Sequence, residues 1–242
     1  MSVTEYNQRT ALLLGEEAVT LLAERHVMVA GVGGVGSYAV EMIARSGIGQ
    51  ITIIDADKVA PSNINRQLPA LVSTVGEPKT EVMKRRILDI NPSCRVNAIE
   101  MFLSPENTGE ILDSHAPDSV IDAIDSVSPK VALIEQCYRR KLMLISSMGA
   151  GGRIDPTQVK YADISDTYHD GLARAVRQRL KQRGITHGIK TVFSSEQPRR
   201  HALIHTDEMQ CKVSSFGTVA WLPATFGMML AAYTINRLTG QL

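Results

Sequence analysis

The sequence contains few cysteines, and their placement argues against a protein held together by disulfide bonds or by a structural zinc ion. It has three, Cys94, Cys137 and Cys211, and no two of them form a CxxC pair. An odd number of widely separated cysteines argues against a disulfide framework, and the missing CxxC pairs argue against a structural zinc site. Such usage fits a reducing compartment, so we expect a cytoplasmic protein.

An excess of charge of either sign is also missing. The 242 residues include 26 basic and 25 acidic side chains, which gives a net charge of +1. So small a net charge produces no overall field that would by itself indicate a polyanionic partner. Residues 1–9 are polar and lack the apolar stretch of a secretory signal, so no such signal is expected.

One uncharged segment, residues 216–236, is long enough to cross a bilayer as a helix. It contains Pro223, Gly217, Gly227 and several threonines, so its apolar content is lower than that of a true span. We therefore expect no membrane span here. We interpret the segment as a helix that is buried in the core or in a dimer interface.

A glycine-rich turn follows the first strongly apolar run. Gly31, Gly33, Gly34 and Gly36 connect this run to a helical pattern. The order predicts a strand, a phosphate-binding loop and a helix whose N-terminal amides favour an anion. Nineteen residues after the last of these glycines, a second apolar run ends in Asp55, where nucleotide-binding folds place a carboxylate for ribose hydroxyls. An ordinary glycine-rich turn is the alternative, but the whole arrangement favours nucleotide binding.

Apolar runs alternate with helical patterns over most of the chain. This alternation predicts an α/β, Rossmann-like, doubly wound fold with a mainly parallel sheet and an irregular, partly helical C-terminal part. We expect a single domain over residues 1–242, with a nucleotide-binding core near 20–150 and substrate-binding and dimer elements near 151–242. After the second strand, the predicted strands are 95–99, 119–124 and 142–146, and the predicted helices are 79–90, 129–140 and 169–183.

Polar residues with the chemistry of a phosphate site follow the second predicted strand. Residues 57–67 form a polar, proline-containing stretch that predicts an irregular loop. Arg66 can neutralise triphosphate oxygens with bidentate geometry, and Lys79 can do so as a mobile point charge. Asn63 would position ribose or phosphate. Asp57 can also simply cap a turn, and Lys79 can be a solvated lysine in a first helical turn.

Two aspartates, Asp122 and Asp125, occur where the fourth predicted strand ends. In an open parallel sheet, ligands bind outside the carboxyl ends of the strands, so Asp125 is well placed to contact a ligand. Mg²⁺ prefers one or two carboxylates together with phosphate oxygens and water, which makes Asp125 the expected metal ligand. Asp122 is interpreted as a buried partner of backbone amides. Residues 149–152 contain three glycines, a pattern that permits close backbone approach.

Positive charge is concentrated in residues 174–200, which hold eight basic residues and one acid, Glu196. Arg174, Arg177 and Lys181 recur at i, i+3 and i+7, so they share one face of the predicted helix. This face is either an ordinary solvated surface or a binding surface for a polyanion.

The order of these motifs resembles the adenylating domain of the ubiquitin-activating superfamily. The stretches 120–130, 149–157 and 225–227 are similar to one branch, the tRNA threonylcarbamoyladenosine dehydratases, so the likeness covers nearly the whole chain. The superfamily motifs are G-x-G-G-x-G at 31–36, D-x-D at 55–57, N-x-x-R-Q at 63–67, Lys79 and D-x-x-D at 122–125.

The resemblance implies an activity, cofactors and partners. It implies an enzyme that adenylates the carboxylate of threonylcarbamoyladenosine in tRNA with ATP and closes a ring, releasing pyrophosphate and AMP. Mg²⁺ is the implied metal, and a monovalent cation stays open. Arg9 matches the arginine that the superfamily contributes from the second subunit of a homodimer. Catalytic roles are thus expected for Arg9, Arg66, Lys79 and Asp125.

Two other functions stay open at this stage. An adenylating enzyme with a sulfur-transfer or carrier-protein partner would commonly hold zinc in two CxxC pairs, which this sequence lacks. An NAD-dependent oxidoreductase or NAD sensor would not need the series of polar residues between 63 and 79. Cys94 and Cys137 fall beside helical patterns and are expected to be buried, while Cys211 stays a candidate for covalent chemistry.

Overall fold

A seven-stranded sheet forms the centre of the protein, as seen in a computed structural model that describes residues 5–205 and 214–241. Its strands are β1 (His26–Ala30), β2 (Gln50–Ile54), β3 (Arg95–Ile99), β4 (Ser119–Asp122), β5 (Met143–Ser147), β6 (Val159–Asp163) and β7 (Lys190–Ser194). They lie in the order β3-β2-β1-β4-β5-β7-β6, and every pair is parallel except β6 with β7. A separate two-stranded sheet pairs β8 (Leu203–His205) with β9 (Ser214–Phe216).

The strand order reverses at the centre of the sheet. From β1 the chain moves outward to β2 and β3, and it then returns to place β4 on the other side of β1. In open α/β sheets the ligand-binding crevice forms at such a reversal, outside the carboxyl ends of the strands. The predicted doubly wound α/β fold is confirmed, and its crevice lies at the ends of β1 and β4.

Helices cover both faces of this sheet. The predicted strands and helices before residue 150 are present, with bounds that differ by at most two residues. The α-helices of the described chain are α1 (Gln8–Leu14), α2 (Glu16–Glu24), α3 (Gly36–Arg45), α4 (Lys79–Ile90), α5 (Thr108–His115), α6 (Val127–Arg140), α7 (Gly171–Lys181) and α8 (Trp221–Leu238).

The chain beyond residue 153 is more regular than the sequence predicts, because it adds β6 and β7 to the main sheet. Each of these strands has five residues, and polar side chains interrupt the apolar ones in both VKYAD and KTVFS. All but the first residue of β7 are buried, so that strand has no polar and apolar alternation. Short buried strands of this kind give no periodic signal in a single sequence.

Residues 221–236 of the uncharged segment lie in α8, which packs on α3 and against the central strands. Leu222, Phe226 and Leu230 are fully buried, and burial of each such side chain contributes about 1.5–3 kcal/mol to stability. Gly227 permits the close approach of the helices, since an added Cβ would lie 2.3 Å from the carbonyl oxygen of Val35. The prediction of a buried core helix is confirmed. Within the described residues, no helix combines the length and apolar character needed to cross a membrane.

Candidate functional site

The loop between β1 and α3 requires glycine at two positions. Gly31 has a φ of +86°, and an added Cβ would lie 2.8 Å from the carbonyl oxygen of Ala123. A Cβ on Gly36 would lie 1.8 Å from the carbonyl oxygen of Gly31. At Gly33 and Gly34 an added Cβ would meet only side chains, at 3.6 and 3.4 Å. The loop therefore presents open backbone at the N-terminus of α3, an arrangement that binds phosphates.

Asp55, at the carboxyl end of β2, fastens this loop to the sheet. One carboxylate oxygen accepts a hydrogen bond from the backbone N–H of Val32 at 2.8 Å, and the other accepts one from Asp57 at 2.8 Å. Burial raises the pKa of Asp55 above its ordinary value, and the positive charge of Lys79 partly offsets this effect. The acid predicted to hold ribose lies at the expected edge, and it also fixes the geometry of the loop.

Lys79, the first residue of α4, is held by an ion pair. Its Nζ lies 2.7 Å from Oδ2 of Asp57, and its backbone N–H donates to the carbonyl oxygen of Asp57 at 3.0 Å. The side chain of Lys79 is 4% exposed, whereas that of Asp57 is 71% exposed. Asp57 thus fixes the position of an ammonium group that is otherwise almost enclosed.

The polar loop predicted from the sequence lies beside the glycine loop. Cγ of Arg66 is 3.4 Å from the point that a Cβ on Gly34 would occupy. The guanidinium of Arg66 donates to two oxygens of its own loop, at 2.9 and 2.8 Å. Oδ1 of Asn63 accepts a hydrogen bond from the backbone N–H of Ala60 at 3.1 Å, so Asn63 stabilises the turn that carries Arg66.

Gln67 carries a buried polar atom that has no partner within the described residues. The residue is 9% exposed, and its Oε1 makes no hydrogen bond there. Its Nε2 lies 3.6 Å from the position of a Cβ on Gly33. A buried acceptor without a donor is unusual in a native structure, and a bound ligand can supply the missing donor. The cationic Arg66 and Lys79 fit the phosphates of a nucleotide triphosphate. The missing donor for Oε1 of Gln67 would come from the sugar or the base of that ligand, since phosphate oxygens only accept hydrogen bonds.

Asp125 is exposed in the turn between β4 and α6, at the centre of the crevice edge. Its Oδ1 accepts a hydrogen bond from the hydroxyl of Ser126 at 3.4 Å. Over residues 5–205 and 214–241, no group of three or more His, Cys, Asp or Glu side chains could hold a metal ion. A metal at Asp125 would therefore take most of its ligands from phosphate and water, as Mg²⁺ commonly does.

A fully buried ion pair lies under this turn. Nζ of Lys130 is 2.7 Å from Oδ2 of Asp122, and both side chains are 0% exposed. The hydroxyl of Ser146 donates to the same oxygen at 2.6 Å. The other oxygen of Asp122 accepts from the backbone N–H of Ile124 at 3.0 Å, so the pair fixes the turn that carries Asp125. The sequence identified Asp122 as a buried partner of backbone amides, but it gave no signal for Lys130, since lysines are rarely buried.

The glycine-rich segment after β5 is held by another buried residue that the sequence did not single out. Arg153 is 3% exposed and donates to the carbonyl oxygens of Gly149 at 2.6 Å, His169 at 2.6 Å and Glu196 at 2.8 Å. Asp170 accepts from the backbone N–H of Gly149 at 2.8 Å and also caps α7. Burial lowers the pKa of Arg153, and the charges of Asp170 and Glu196 oppose this shift. These bonds fix the segment beside the crevice.

The basic side chains of α7 have different surroundings. Arg174 and Lys181 are exposed. Arg177 instead donates to the carbonyl oxygen of Thr167 at 2.9 Å and so holds the chain that precedes the helix. Because Asp170 at the start of α7 contacts the glycine-rich segment, Arg174 lies closer to the crevice edge than Lys181 does.

Arg9 is exposed on α1. No hydrogen bond or ion pair in the described part of the chain joins it to the glycine loop or to Asp125. On the same helix, Leu12 and Leu13 are each 83% exposed. A single chain therefore gathers the predicted site residues from Gly31 to Asp125, but it leaves Arg9 apart from them.

Two of the three cysteines are buried, as predicted. Burial raises the pKa of Cys94 to about 12 and that of Cys137 to about 12. At neutral pH both are therefore protonated thiols, which are poor nucleophiles. Cys211 lies outside the described residues.

Comparison with known proteins identifies the family. A model described as the ThiF family matches residues 6–241, almost the entire chain. The chain belongs to the ThiF family. The glycine loop, Arg66, Lys79 and Asp125 all lie within the matched range.

The chain is also similar to named proteins along nearly their whole length. The tRNA threonylcarbamoyladenosine dehydratase of Escherichia coli (strain K12) is 43% identical over 250 residues, which cover 96% of this chain and 92% of that protein. The one from Bacillus subtilis (strain 168) is 41% identical over 236 residues, with coverages of 94% and 92%. A crystal structure of the E. coli enzyme in complex with ATP has a TM-score of 0.89 at 40% identity and covers 100% of this chain and 98% of that chain. The resemblance to the dehydratase branch is confirmed.

Proposed function

We propose that this protein is an ATP-dependent tRNA threonylcarbamoyladenosine dehydratase. It adenylates the carboxylate of the modified nucleoside in tRNA and then closes a ring, with release of pyrophosphate and AMP. The observation that carries the proposal is the convergence of an open glycine loop, Arg66, Lys79 and Asp125 at one crevice edge. The similar E. coli dehydratase was solved with ATP bound, which supports the nucleotide assignment.

The first step joins two anions, so the site must neutralise charge. The substrate carboxylate attacks the α-phosphorus of ATP, and pyrophosphate leaves. The open backbone N–H groups at Gly33 and Gly34 donate hydrogen bonds to phosphate oxygens, while Arg66 and Lys79 offset the negative charge of the phosphates. Asp125 would hold Mg²⁺, which supplies a Lewis acid for the phosphate oxygens.

The second step needs no protein nucleophile. The carbamoyl group of the same nucleoside attacks the acyl-adenylate carbonyl, a proton is lost, and AMP leaves as the ring closes. Proximity within one nucleoside accelerates this attack. The buried thiols of Cys94 and Cys137 take no part, and we expect Cys211→Ser to stay active. Loss of activity in a folded Cys211→Ser protein would support covalent catalysis instead.

Asp125→Ala tests the assignment of the metal ligand. We expect turnover to fall about 100-fold or more, because the charge clamp on the phosphates is lost. Asp89→Ala, an exposed aspartate on α4, is the control and should keep normal turnover. Product analysis should find pyrophosphate and AMP. Release of ADP and phosphate, or near-normal turnover of Asp125→Ala at saturating Mg²⁺, would contradict the proposal.

The exposed basic side chains of α7 are proposed to contact tRNA phosphates. The double variant Arg174→Glu, Lys181→Glu leaves the hydrogen bonds of Arg177 intact, so it changes surface charge without removing them. It should weaken tRNA binding and flatten its dependence on salt concentration, because fewer counterions are released. Lys84→Glu, Lys141→Glu makes the same change in charge elsewhere. Equal affinities of all three proteins in filter binding would exclude this surface.

We further propose that the enzyme is a homodimer in which Arg9 acts in the partner's site. The exposure of Leu12 and Leu13 beside Arg9 favours a second copy as the cover of α1, since large apolar side chains are rarely so exposed together. Light scattering should give the mass of two chains. Mixing equal amounts of the inactive Arg9→Ala and Asp125→Ala proteins should restore about a quarter of wild-type activity. Half of the dimers are then mixed, and each mixed dimer has one intact site of two. A monomeric mass, or no restoration after exchange, would contradict this arrangement.

Other functions predict different ligands. Thermal stabilisation by ATP with Mg²⁺ but not by NAD is expected, since a ligand stabilises the folded protein that binds it. Stabilisation by NAD alone would favour an oxidoreductase or sensor. We expect the enzyme to act in the cytoplasm, because its few and widely separated cysteines fit a reducing compartment.

A further inference from the structure

Residues 217–223 connect two parts of the proposed site. On one side, Asn65 donates to the carbonyl oxygen of Thr218 at 3.2 Å, and Cβ of Pro223 lies 3.5 Å from the position of a Cβ on Gly34. On the other side, the carbonyl oxygen of Gly217 accepts from the N–H of the glycine-rich segment after β5, at 2.9 Å. This connection therefore runs along the crevice, from the phosphate loop to the end of β5.

Trp221 lies in this connection and is 54% exposed. Its Nε1 donates to the carbonyl oxygen of Ile154 at 2.8 Å, so the indole is held in one orientation while much of its surface stays open. Leu222 and Phe226 on the same helix are 0% exposed, so Trp221, the first residue of α8, is open to solvent although the helix that follows it is buried. A large aromatic side chain that is fixed and still open to solvent is suited to stacking against a planar ligand.

The surroundings of Trp221 fit single-stranded RNA. Gly152, two residues before Ile154, accepts a hydrogen bond from the backbone N–H of Arg199 at 2.8 Å, and the Arg199 side chain is exposed. Phe216, a second partly exposed aromatic residue, lies against Gly152, at 2.8 Å from the position of an added Cβ. Proteins recognise single-stranded RNA by stacking splayed bases on aromatic side chains, with positive charge nearby for the phosphates.

We propose that Trp221 is the stacking surface for an unpaired base of the tRNA substrate, at or next to the modified adenosine. This inference rests on the proposed function. The adenine of ATP is a poorer candidate for this surface, because Asp55, the proposed ribose partner, lies at the end of β2. Trp221 is bonded to Ile154, which follows β5, and β5 lies three strands from β2, so the ends of these two strands are about 14 Å apart at the usual spacing.

The chain contains one tryptophan, so intrinsic fluorescence reports on this position directly. The probe is an anticodon stem-loop RNA that contains threonylcarbamoyladenosine, added to the full-length protein with and without ATP. We expect the RNA to quench the emission and ATP with Mg²⁺ alone to leave it unchanged. Quenching by ATP alone to the same extent would assign the indole to the nucleotide and overturn the proposal.

Substitutions test the stacking itself. Trp221→Ala should weaken RNA binding about 10- to 100-fold and raise KM for the RNA, with KM for ATP unchanged. Trp221→Phe keeps an aromatic ring and should retain most of the affinity. This result would show that Trp221→Ala loses affinity because the ring is missing and not because the protein is unfolded. Tyr138→Ala removes a comparably exposed aromatic, 43% exposed on the last turn of α6 at the opposite edge of the sheet, and should bind normally.

The outcomes separate this inference from the proposed function. If wild type and Trp221→Ala bind the RNA equally, the stacking surface is wrong and the dehydratase function stands. If KM for ATP also rises in Trp221→Ala, to the same extent as KM for the RNA, the stacking inference is overturned as well. If the wild type binds ATP but does not bind the RNA, the proposed function fails and this inference fails with it.

Discussion

The buried pair of Lys130 and Asp122 allows a prediction whose size follows from the structure. Lys130→Met keeps a side chain of similar length but removes the ammonium 2.7 Å from the Asp122 carboxylate. Asp122 is 0% exposed, so water cannot replace the lost positive charge. Removing one partner of a buried pair costs about 3–5 kcal/mol of the free energy of unfolding. In a chain of this size, the melting temperature should fall by about 6–20 °C.

Urea unfolding followed by far-UV circular dichroism measures this loss. Arg139→Met is a matched control on the same helix, since the side chain of Arg139 is 60% exposed in its pair with Glu135. Exposed pairs contribute at most about 1 kcal/mol, so the control should remain close to wild type. The double variant Lys130→Met, Asp122→Asn should regain much of the stability, because a neutral amide leaves no unpaired charge.

Two results would refute this reasoning about the pair. One is a loss of less than about 1 kcal/mol for Lys130→Met, which is within the range of ordinary substitutions. The other is a double variant that is less stable than Lys130→Met, since that would mean that the charge on Asp122 is not what destabilises the single variant.

Three further predictions concern the loop, the acid stability and the thiols. Gly36→Ala should abolish thermal stabilisation by ATP, because its Cβ would lie 1.8 Å from a backbone oxygen of the loop; unchanged stabilisation would contradict this. Burial raises the pKa of Glu41, but its two arginine partners lower it, so the net pKa lies below the ordinary 4.5. The stability that ionised Glu41 contributes to the folded protein is therefore present above pH 4.5 and is lost as the pH falls below it. Wild type and Glu41→Gln should thus differ in urea stability at neutral pH and converge in acid, and a constant difference would refute the assignment. In a Cys211→Ser background, Cys94 and Cys137 should resist a thiol reagent until the protein unfolds, whereas rapid labelling would contradict their burial.

Much of the fold and part of the site could be predicted from the sequence, because the signals are local. A glycine loop between an apolar run and a helical pattern specifies a backbone conformation, and Gly31 and Gly36 occupy positions where a Cβ would collide with backbone. Strands and helices of the first 150 residues alternate with clear periodicity. The carboxyl ends of parallel strands share one edge, so the sequence predicts Asp55 and Asp125 at the same crevice.

Strands β6 and β7 could not be predicted in this way, because neither VKYAD nor KTVFS contains an apolar run like those of β1 and β2. Their pairing depends on contacts between segments that are far apart in the chain. The same holds for α8, because its uncharged sequence predicts a helix that is buried either in the core or in an interface. Its position is decided by close packing on α3 at Gly227.

The order of the elements, the glycine conformations and the edge of the sheet where the polar residues gather all follow from local sequence patterns. Which charges are buried, and what they contact, depends on how the elements pack together. Lys130 and Arg153 look like surface residues in the sequence, yet each is almost fully enclosed and holds a loop of the site. The physical reason is that periodicity reports which face of an element is apolar, whereas the desolvation of a charge depends on every element packed around it.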